Sequence, residues 1–206
     1  MKHRLDKDPE KWKDFGGNSP LISLFNSVLP IQDEIKAIIN RETYPMQVKK
    51  YKYLISPIDR NMNLFFVLKG VVRGYVKDGT KEITTWISTE NDVVGTIRNL
   101  FTHGDSDEYI QALEDAHLIC IPHVMSEYLY ANYREANFIG RVLMQKYYQS
   151  AEERAYLCRI SSAEKRYKRF LQTYPGLIER ISLKYIASFL GVRLETLSRI
   201  RTQGNK

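Results

Sequence analysis

The chain has 206 residues, a net charge of +7 and 43% hydrophobic residues, which excludes a disordered chain and allows one large domain or two smaller ones. No apolar run approaches the roughly 18 residues that a membrane span requires, and no apolar signal segment follows the charged first residues. The only cysteines, Cys120 and Cys158, suit a reducing compartment and provide neither a CxxC pair nor four iron–sulfur ligands, so we predict a cytoplasmic protein without a membrane partner.

The first 134 residues predict a polar lead-in followed by a β-rich domain. Residues 1–20 are mostly polar and predict a flexible segment, whereas residues 21–134 predict short strands flanked by helices. Within this domain, Asp78 and Gly79 separate two apolar runs, which is a strong hairpin signal. Short strands at this spacing favour an antiparallel sandwich or barrel over βαβ units.

Residues 135–160 predict one long helix, because they contain no proline and a single glycine. Apolar and aromatic side chains recur at steps of three or four, which predicts one face toward the chain itself and another toward a second copy. The predicted dimer stripe consists of Ile139, Leu143, Tyr147, Ala151 and Arg154. A helix that packs wholly within one chain has the same periodicity, so that alternative stays open.

Residues 182–202 carry the pattern of a helix-turn-helix. Ser182 stands where the N-cap of the first helix belongs. Ala187 provides the small side chain required where two helices cross, and Gly191 tolerates the positive φ of the turn. The apolar residues expected to face the small core are Ile186, Leu190, Val192, Leu197 and Ile200. These positions together satisfy the geometry of a DNA-binding motif.

This motif lies in a predicted helical domain, residues 161–206, that holds the excess positive charge of the chain. The domain begins with Ser161-Ser162-Ala163-Glu164, which fits a capping box. From Arg159 to Lys206 there are 11 Lys and Arg against 3 Asp and Glu, whereas the preceding 158 residues have 20 against 21. The asymmetry favours a polyanion-binding module on a near-neutral body, although a solvated basic tail has the same composition.

The polar side chains of the second helix are predicted to reach DNA when its apolar side chains point inward. Arg199 suits a guanine edge, and Glu195 suits a cytosine amino group. The predicted base-contacting residues are Glu195, Thr196, Ser198 and Arg199. The predicted DNA-backbone contacts are Lys165, Arg180, Lys184, Arg193 and Arg201. A helix pair that merely packs against its domain is the alternative.

Several segments resemble the cyclic-AMP receptor protein / fumarate-nitrate regulator (Crp/Fnr) superfamily, in its Bacteroidetes-type form. The similar segments are Phe65–Arg73, Ala112–Ala116, Ala163–Tyr167, Tyr174–Leu177, Ile181–Gly191 and Glu195–Arg201. The resemblance implies an α+β fold with an N-terminal cyclic-nucleotide-binding-like antiparallel β-roll, a long dimerisation helix and a C-terminal winged helix-turn-helix. It also implies a homodimer on a palindromic double-stranded operator, with RNA polymerase as a further candidate partner.

The sensor region departs from the members of that superfamily that bind cyclic nucleotides. Those members carry a Gly-Glu pair and an Arg-Ser or Arg-Thr pair, where this chain has Gly95-Thr96 and Ser106-Asp107. Acidic side chains without an offsetting arginine disfavour a phosphate, so we do not expect cyclic AMP to bind. The effector is unknown, and the candidate pocket residues are Arg73, Gly95, Thr96 and Arg98. The scattered histidines predict no metal site, and no other cofactor is expected.

These observations predict a sequence-specific, homodimeric DNA-binding transcription regulator whose sensor lacks the residues that bind the phosphate of cyclic AMP. The alternative is a ligand-binding signalling module whose basic C-terminal domain binds a protein or a membrane surface. No nucleotide-loop, zinc-protease or nucleophile-elbow motif occurs, so we do not expect an enzyme.

Overall fold

The computed structural model describes residues 10–58, 62–96 and 106–204. A short 3-10 turn, Lys13–Phe15, precedes the α-helices. The helices are α1 (Pro20–Val28), α2 (Asp33–Glu42), α3 (His123–Asn132), α4 (Arg134–Arg159), α5 (Ala163–Thr173), α6 (Leu177–Arg180), α7 (Leu183–Leu190) and α8 (Leu194–Gly204). The strands are β1 (Tyr44–Val48), β2 (Tyr53–Ile55), β3 (Asn63–Lys69), β4 (Val72–Asp78), β5 (Lys81–Ser88), β6 (Val93–Val94), β7 (Tyr109–Ala112) and β8 (Ala116–Pro122).

The strands form two four-stranded antiparallel sheets, which fits the β-roll that the family resemblance implies. One sheet has the order β1-β8-β3-β6 and the other β2-β7-β4-β5. The predicted hairpin joins β4 to β5, with Asp78 opposite Lys81 and Gly79 at a φ of 60°. Phe65, Val72 and other apolar side chains of both sheets fill the interior between them.

The described part of the predicted lead-in packs on the outside of the roll and on α2. Trp12 is only 3% exposed and its Nε1 donates to the carbonyl of Asn40, 2.9 Å away. The Asn40 side chain in turn accepts from the backbone N–H of Ser19 at 2.7 Å. A single buried tryptophan ties the described part of this polar segment to α2, and the flexibility of the lead-in stays a prediction.

The long helix α4 confirms the predicted helix over residues 135–160, but the first residue of the predicted dimer stripe faces inward. Ile139 is fully buried in a cluster that also contains Leu129 and Ile119 of the same chain. Leu143 packs against that cluster. The assignment of Ile139 to a dimer surface is therefore wrong, because the first turns of α4 cover their own domain. Tyr147 and Arg154 of the stripe line a cavity between α4 and the roll of the same chain, and the dimer role of the remaining stripe stays a prediction.

The C-terminal helices α5 to α8 share one core, which apolar residues of the roll and of α4 also join. Phe170 and Leu197 are fully buried in it, together with Ile186. Among residues 123–204 there is no strand, so the described chain contains the helix-turn-helix but not the wing that the family resemblance implies.

Ser162 begins α5 as its N-cap, one residue later than the capping-box pattern of Ser161 and Glu164 predicts. Its Oγ accepts a hydrogen bond from the backbone N–H of Lys165 at 3.3 Å. We expect Ser162→Ala to lower the free energy of unfolding by about 1 kcal/mol, because the N–H loses its partner. Chemical denaturation measures the change, and Ser161→Ala is the matched control. Equal stability of both variants would show that the cap contributes nothing.

Candidate nucleic-acid interface

The two helices of the predicted DNA-binding motif meet as the sequence pattern requires. Gly191 ends α7 at a φ of 62°, and the N–H of Val192 donates to the carbonyl of Ala187 at 3.0 Å. Ala187 is buried where α7 meets its neighbours. Ser182 is the N-cap residue of α7, but its side chain makes no capping hydrogen bond. The turn therefore rests on Gly191 and the apolar core rather than on a side-chain cap.

The second helix of the motif, α8, separates its apolar and polar side chains. Leu197 is fully buried and Ile200 is half-buried. Glu195, Ser198 and Arg199 are exposed, and Thr196 is half-buried. Three of the four predicted base-contacting side chains are thus available to a partner. The predicted backbone contacts Lys165, Lys184, Arg193 and Arg201 are likewise exposed.

Arg180 is not available to DNA in the same way, because two carboxylates of the β-roll bind its guanidinium. Its Nη1 and Nη2 donate to both oxygens of Glu90 at 2.9 and 2.7 Å. Its Nε and Nη2 donate to Glu114 at 3.2 and 2.7 Å. The predicted DNA-backbone contact by Arg180 is contradicted in this arrangement, since bidentate carboxylate pairing uses the donors that a phosphate would take.

The Arg180 guanidinium stabilises the ionised form of Glu90. Hydrogen bonds from Arg180, and then from the backbone N–H of Gly70, lower the pKa of Glu90 from its ordinary 4.5 to about 2. A carboxyl with a depressed pKa stabilises the fold above its unfolded pKa and loses that contribution as the pH falls through its folded pKa.

We therefore expect Glu90→Gln to remove a stabilisation that is complete above pH 4.5 and lost toward pH 2. The difference in free energy of unfolding between wild type and variant should shrink across that window. Urea titrations at several pH values measure it, with Glu179→Gln, an exposed acid of α6, as the control. A difference that does not change with pH would contradict the role of the Glu90 charge.

Arg73 belongs to the junction with the C-terminal helices and does not line the candidate effector pocket. It is 1% exposed and donates to Gln111 at 2.8 and 3.0 Å, to Thr84 at 3.2 Å and to Glu82. Its placement in an effector pocket is wrong, because its side chain is buried against Tyr185 of the C-terminal helices and does not line the cavity between the roll and α4.

A cavity of about 330 Å³ lies between the β-roll and α4. Gly95 lines it, as predicted for the pocket. Thr96 is 1% exposed, and its Oγ1 has no hydrogen-bond partner in the part of the chain that the structure describes. Arg98, the fourth predicted pocket residue, lies outside the described residues. Other lining residues include Leu64, Trp86, Asp92, Val94, Arg141, Met144, Lys146, Tyr147 and Arg154.

Trp86 fills part of the roll beside this cavity, which sequence reasoning did not foresee. Its Nε1 donates to Glu108 at 2.7 Å. Its ring lies so close to Gly74 that a Cβ there would be 2.1 Å from the indole, so the strand can carry only glycine at this place without displacing the ring. Glu108 therefore binds an internal indole N–H, and a phosphate beside Glu108 and Asp107 would meet negative charge.

The two cysteines differ in exposure. Cys120 is buried, and burial raises the pKa of its thiol to about 11, which makes it a poor nucleophile. Cys158 is exposed near the end of α4. No group of three or more potential metal ligands occurs among the described histidine, cysteine, aspartate and glutamate residues.

No family model and no curated protein matches the chain. Solved structures do match. A transcriptional regulator of the crp/fnr family from Eubacterium rectale is 20% identical, with a TM-score of 0.68 over 88% of this chain and 86% of that one. This chain has the Crp/Fnr fold.

Two other structures with the Crp/Fnr fold agree. FixK2 from Bradyrhizobium japonicum is 17% identical, with a TM-score of 0.68 over 78% of this chain and 83% of that one. The c-di-GMP-responsive global regulator CLP from Xanthomonas campestris is 16% identical, with a TM-score of 0.65 over 84% of this chain and 92% of that one. Two of the three neighbours are named as regulators.

Across the described ranges, with their gaps at 59–61 and 97–105, no helix is both long and apolar enough to cross a bilayer.

Proposed function

We propose that the chain is a sequence-specific DNA-binding transcription regulator that acts as a homodimer. The observation that carries the proposal is the exposed polar face of α8, with Glu195, Ser198 and Arg199, on a helix-turn-helix whose apolar face is buried. The surrounding domain has a strong excess of Lys and Arg, which is costly by self-repulsion unless a polyanion is bound.

In the proposed complex, α8 enters the major groove of DNA. Arg199 donates bidentately to a guanine edge, and Glu195 accepts from a cytosine amino group. Lys184, Arg193 and Arg201 bind phosphates, which gives affinity and orientation but no sequence information. In a dimer, two copies of α8 enter successive major grooves about 34 Å apart, so the operator is palindromic.

The long helix α4 supports the homodimer. Along its length it exposes large hydrophobic side chains, which a soluble helix rarely leaves uncovered. Tyr148 is 69% exposed and Tyr156 is 58% exposed, and a separation of eight residues places them on the same side of the helix. Phe138 and Met144 are 41% and 46% exposed on the same helix. A second α4 would cover this surface.

The cavity between the β-roll and α4 is the proposed effector site. Members that bind cyclic nucleotides carry a phosphate-binding arginine in the segment where this chain has the acidic Asp107 and Glu108. Negative charge there disfavours a phosphate, so cyclic AMP is not the proposed effector. An effector in this cavity touches both the roll and α4, and it acts by binding one arrangement of the dimer more tightly than another. Contact with RNA polymerase remains a prediction.

Selection from a random double-stranded DNA library tests the proposal. The purified full chain is expected to enrich a palindrome with half-sites one helical turn apart, and to do so at two salt concentrations. Sequence-blind binding that collapses with salt would show that the C-terminal charge acts only electrostatically, and the proposed function would be wrong.

A further inference from the structure

The first helix of the motif, α7, binds the free edge of the sensor sheet. Strand β5 is an outer strand of the sheet β2-β7-β4-β5, and an edge strand leaves backbone groups without a neighbouring strand. The hydroxyl of Ser188 accepts from the N–H of Thr84 at 2.9 Å and donates to the carbonyl of Glu82 at 3.0 Å. A single side chain of α7 thus satisfies two backbone groups of that edge.

The same helix covers a buried arginine of the sheet. The guanidinium of Arg73 lies 4.1 Å from the ring centre of Tyr75 and 4.2 Å from that of Tyr185, which belongs to α7. The guanidinium of Arg73 also donates hydrogen bonds to Gln111, Thr84 and Glu82. Because guanidinium stacking is directional, this contact orients α7 as well as binding it.

A third contact lies at the end of α6, just before α7. Arg180 pairs with Glu90, which follows β5, and with Glu114, which follows β7. Apolar contact accompanies the polar ones, since Val71, Ile87 and Leu113 of the roll belong to the same buried cluster as Ile186. The helix-turn-helix is therefore attached to the sensor by apolar packing and by three separate polar contacts.

We propose that Arg180, Tyr185 and Ser188 are positioning residues that fix the orientation of the helix-turn-helix on the β-roll, and thereby set the half-site spacing that the dimer accepts. The inference rests on the proposed function. The attached arrangement leaves α8 available to DNA, because the polar face of this helix, with Arg199, is exposed in it. A rigidly held pair of reading helices fits one spacing, whereas helices on loosened domains tolerate several.

Variants on both sides of the junction test the inference: Glu90 and Glu114 belong to the sensor, and Ser188 belongs to α7, where its hydroxyl is bonded to the roll. Glu90→Gln combined with Glu114→Gln releases Arg180, and Ser188→Ala releases the β5 edge. Glu153→Gln is the matched control, since Glu153 accepts two hydrogen bonds from Arg169 at 2.6 and 2.8 Å between α4 and α5, away from the sheet. Affinities are measured on the palindrome selected by wild type, and on copies whose spacer is one or two base pairs longer or shorter.

Wild type and Glu153→Gln are expected to prefer one spacing. In Glu90→Gln/Glu114→Gln and in Ser188→Ala, the ratio between the best and worst spacing should fall at least about fivefold, the lower end of typical coupling between sites. Unchanged spacing ratios in both variants would overturn the inference while leaving the proposed function intact. A uniform rise in affinity after release of Arg180, without broader spacing, would also overturn it, because it would make Arg180 only a phosphate contact. Failure of wild type to select any site would instead contradict the proposed function.

Discussion

Replacing Arg199 by alanine is expected to weaken binding to the selected operator by about 1–3 kcal/mol and to change binding to random DNA little. The reason is that a bidentate arginine distinguishes one base pair from the others, whereas phosphate contacts are the same on every sequence. Arg199 is exposed on α8 and lies close in sequence to Leu197, whose buried side chain fixes the helix. Fluorescence anisotropy titrations on both DNAs measure the two affinities.

Arg201→Ala is the matched control, because it removes the same charge from an exposed position of the same helix. As a predicted phosphate contact it should weaken binding to all sequences about equally and reduce the salt slope by about 1. If Arg199→Ala lowered the affinity for operator and random DNA by the same factor, the base-reading role of Arg199 would be wrong.

Phe170→Ala is expected to lower the free energy of unfolding of the C-terminal helices by about 3–5 kcal/mol. The side chain is fully buried, and its ring lies 5.2 Å from that of Tyr174 and 6.0 Å from that of Phe189. Removal leaves a cavity between α5 and α7, so the helix-turn-helix loses the support of α5. Urea denaturation followed by circular dichroism measures the loss.

Leu171→Ala is the control for this prediction, since Leu171 is the next residue of α5 and is 36% exposed. It should cost clearly less, because its side chain is only partly removed from water. DNA affinity of Phe170→Ala should fall together with the folded fraction. A Phe170→Ala chain as stable as Leu171→Ala would contradict the assigned core.

The helix-turn-helix could be predicted from the sequence because its determinants are close together in the chain. Ala187, Gly191 and Leu197 lie within eleven consecutive residues, so local spacing alone defines the small core and the turn. The hairpin at Asp78-Gly79 was predicted for the same reason. Short-range patterns therefore sufficed for the motif that we propose to bind DNA.

The junction between sensor and helix-turn-helix could not be predicted, because its partners are far apart in the chain. Arg180 was expected at DNA and instead pairs with Glu90 and Glu114, 90 and 66 residues away. An exposed arginine and a paired one look identical in sequence. Trp86 and Gly74 face each other only because β4 and β5 pair with a shift at that point, which depends on tertiary register.

The inward face of α4 shows the same limit. Ile139 and Tyr147 belong to the same periodic stripe of α4, yet Ile139 is fully buried and Tyr147 is 43% exposed. Periodicity identifies a stripe, but which part of the stripe the chain covers depends on where the β-roll ends. The structure decides this by packing the first turns of α4 on the N-terminal helices.

A hydroxyl-radical footprint on the selected operator tests the central claim most directly, because it records where the bound protein covers the DNA. We expect two equally protected blocks of DNA, related by the symmetry of the palindrome and centred one helical turn apart, about 34 Å. Arg199→Ala should lose both blocks together on this DNA at concentrations where wild type gives them. A single block, or even protection along the whole duplex, would contradict a homodimer that reads DNA through α8.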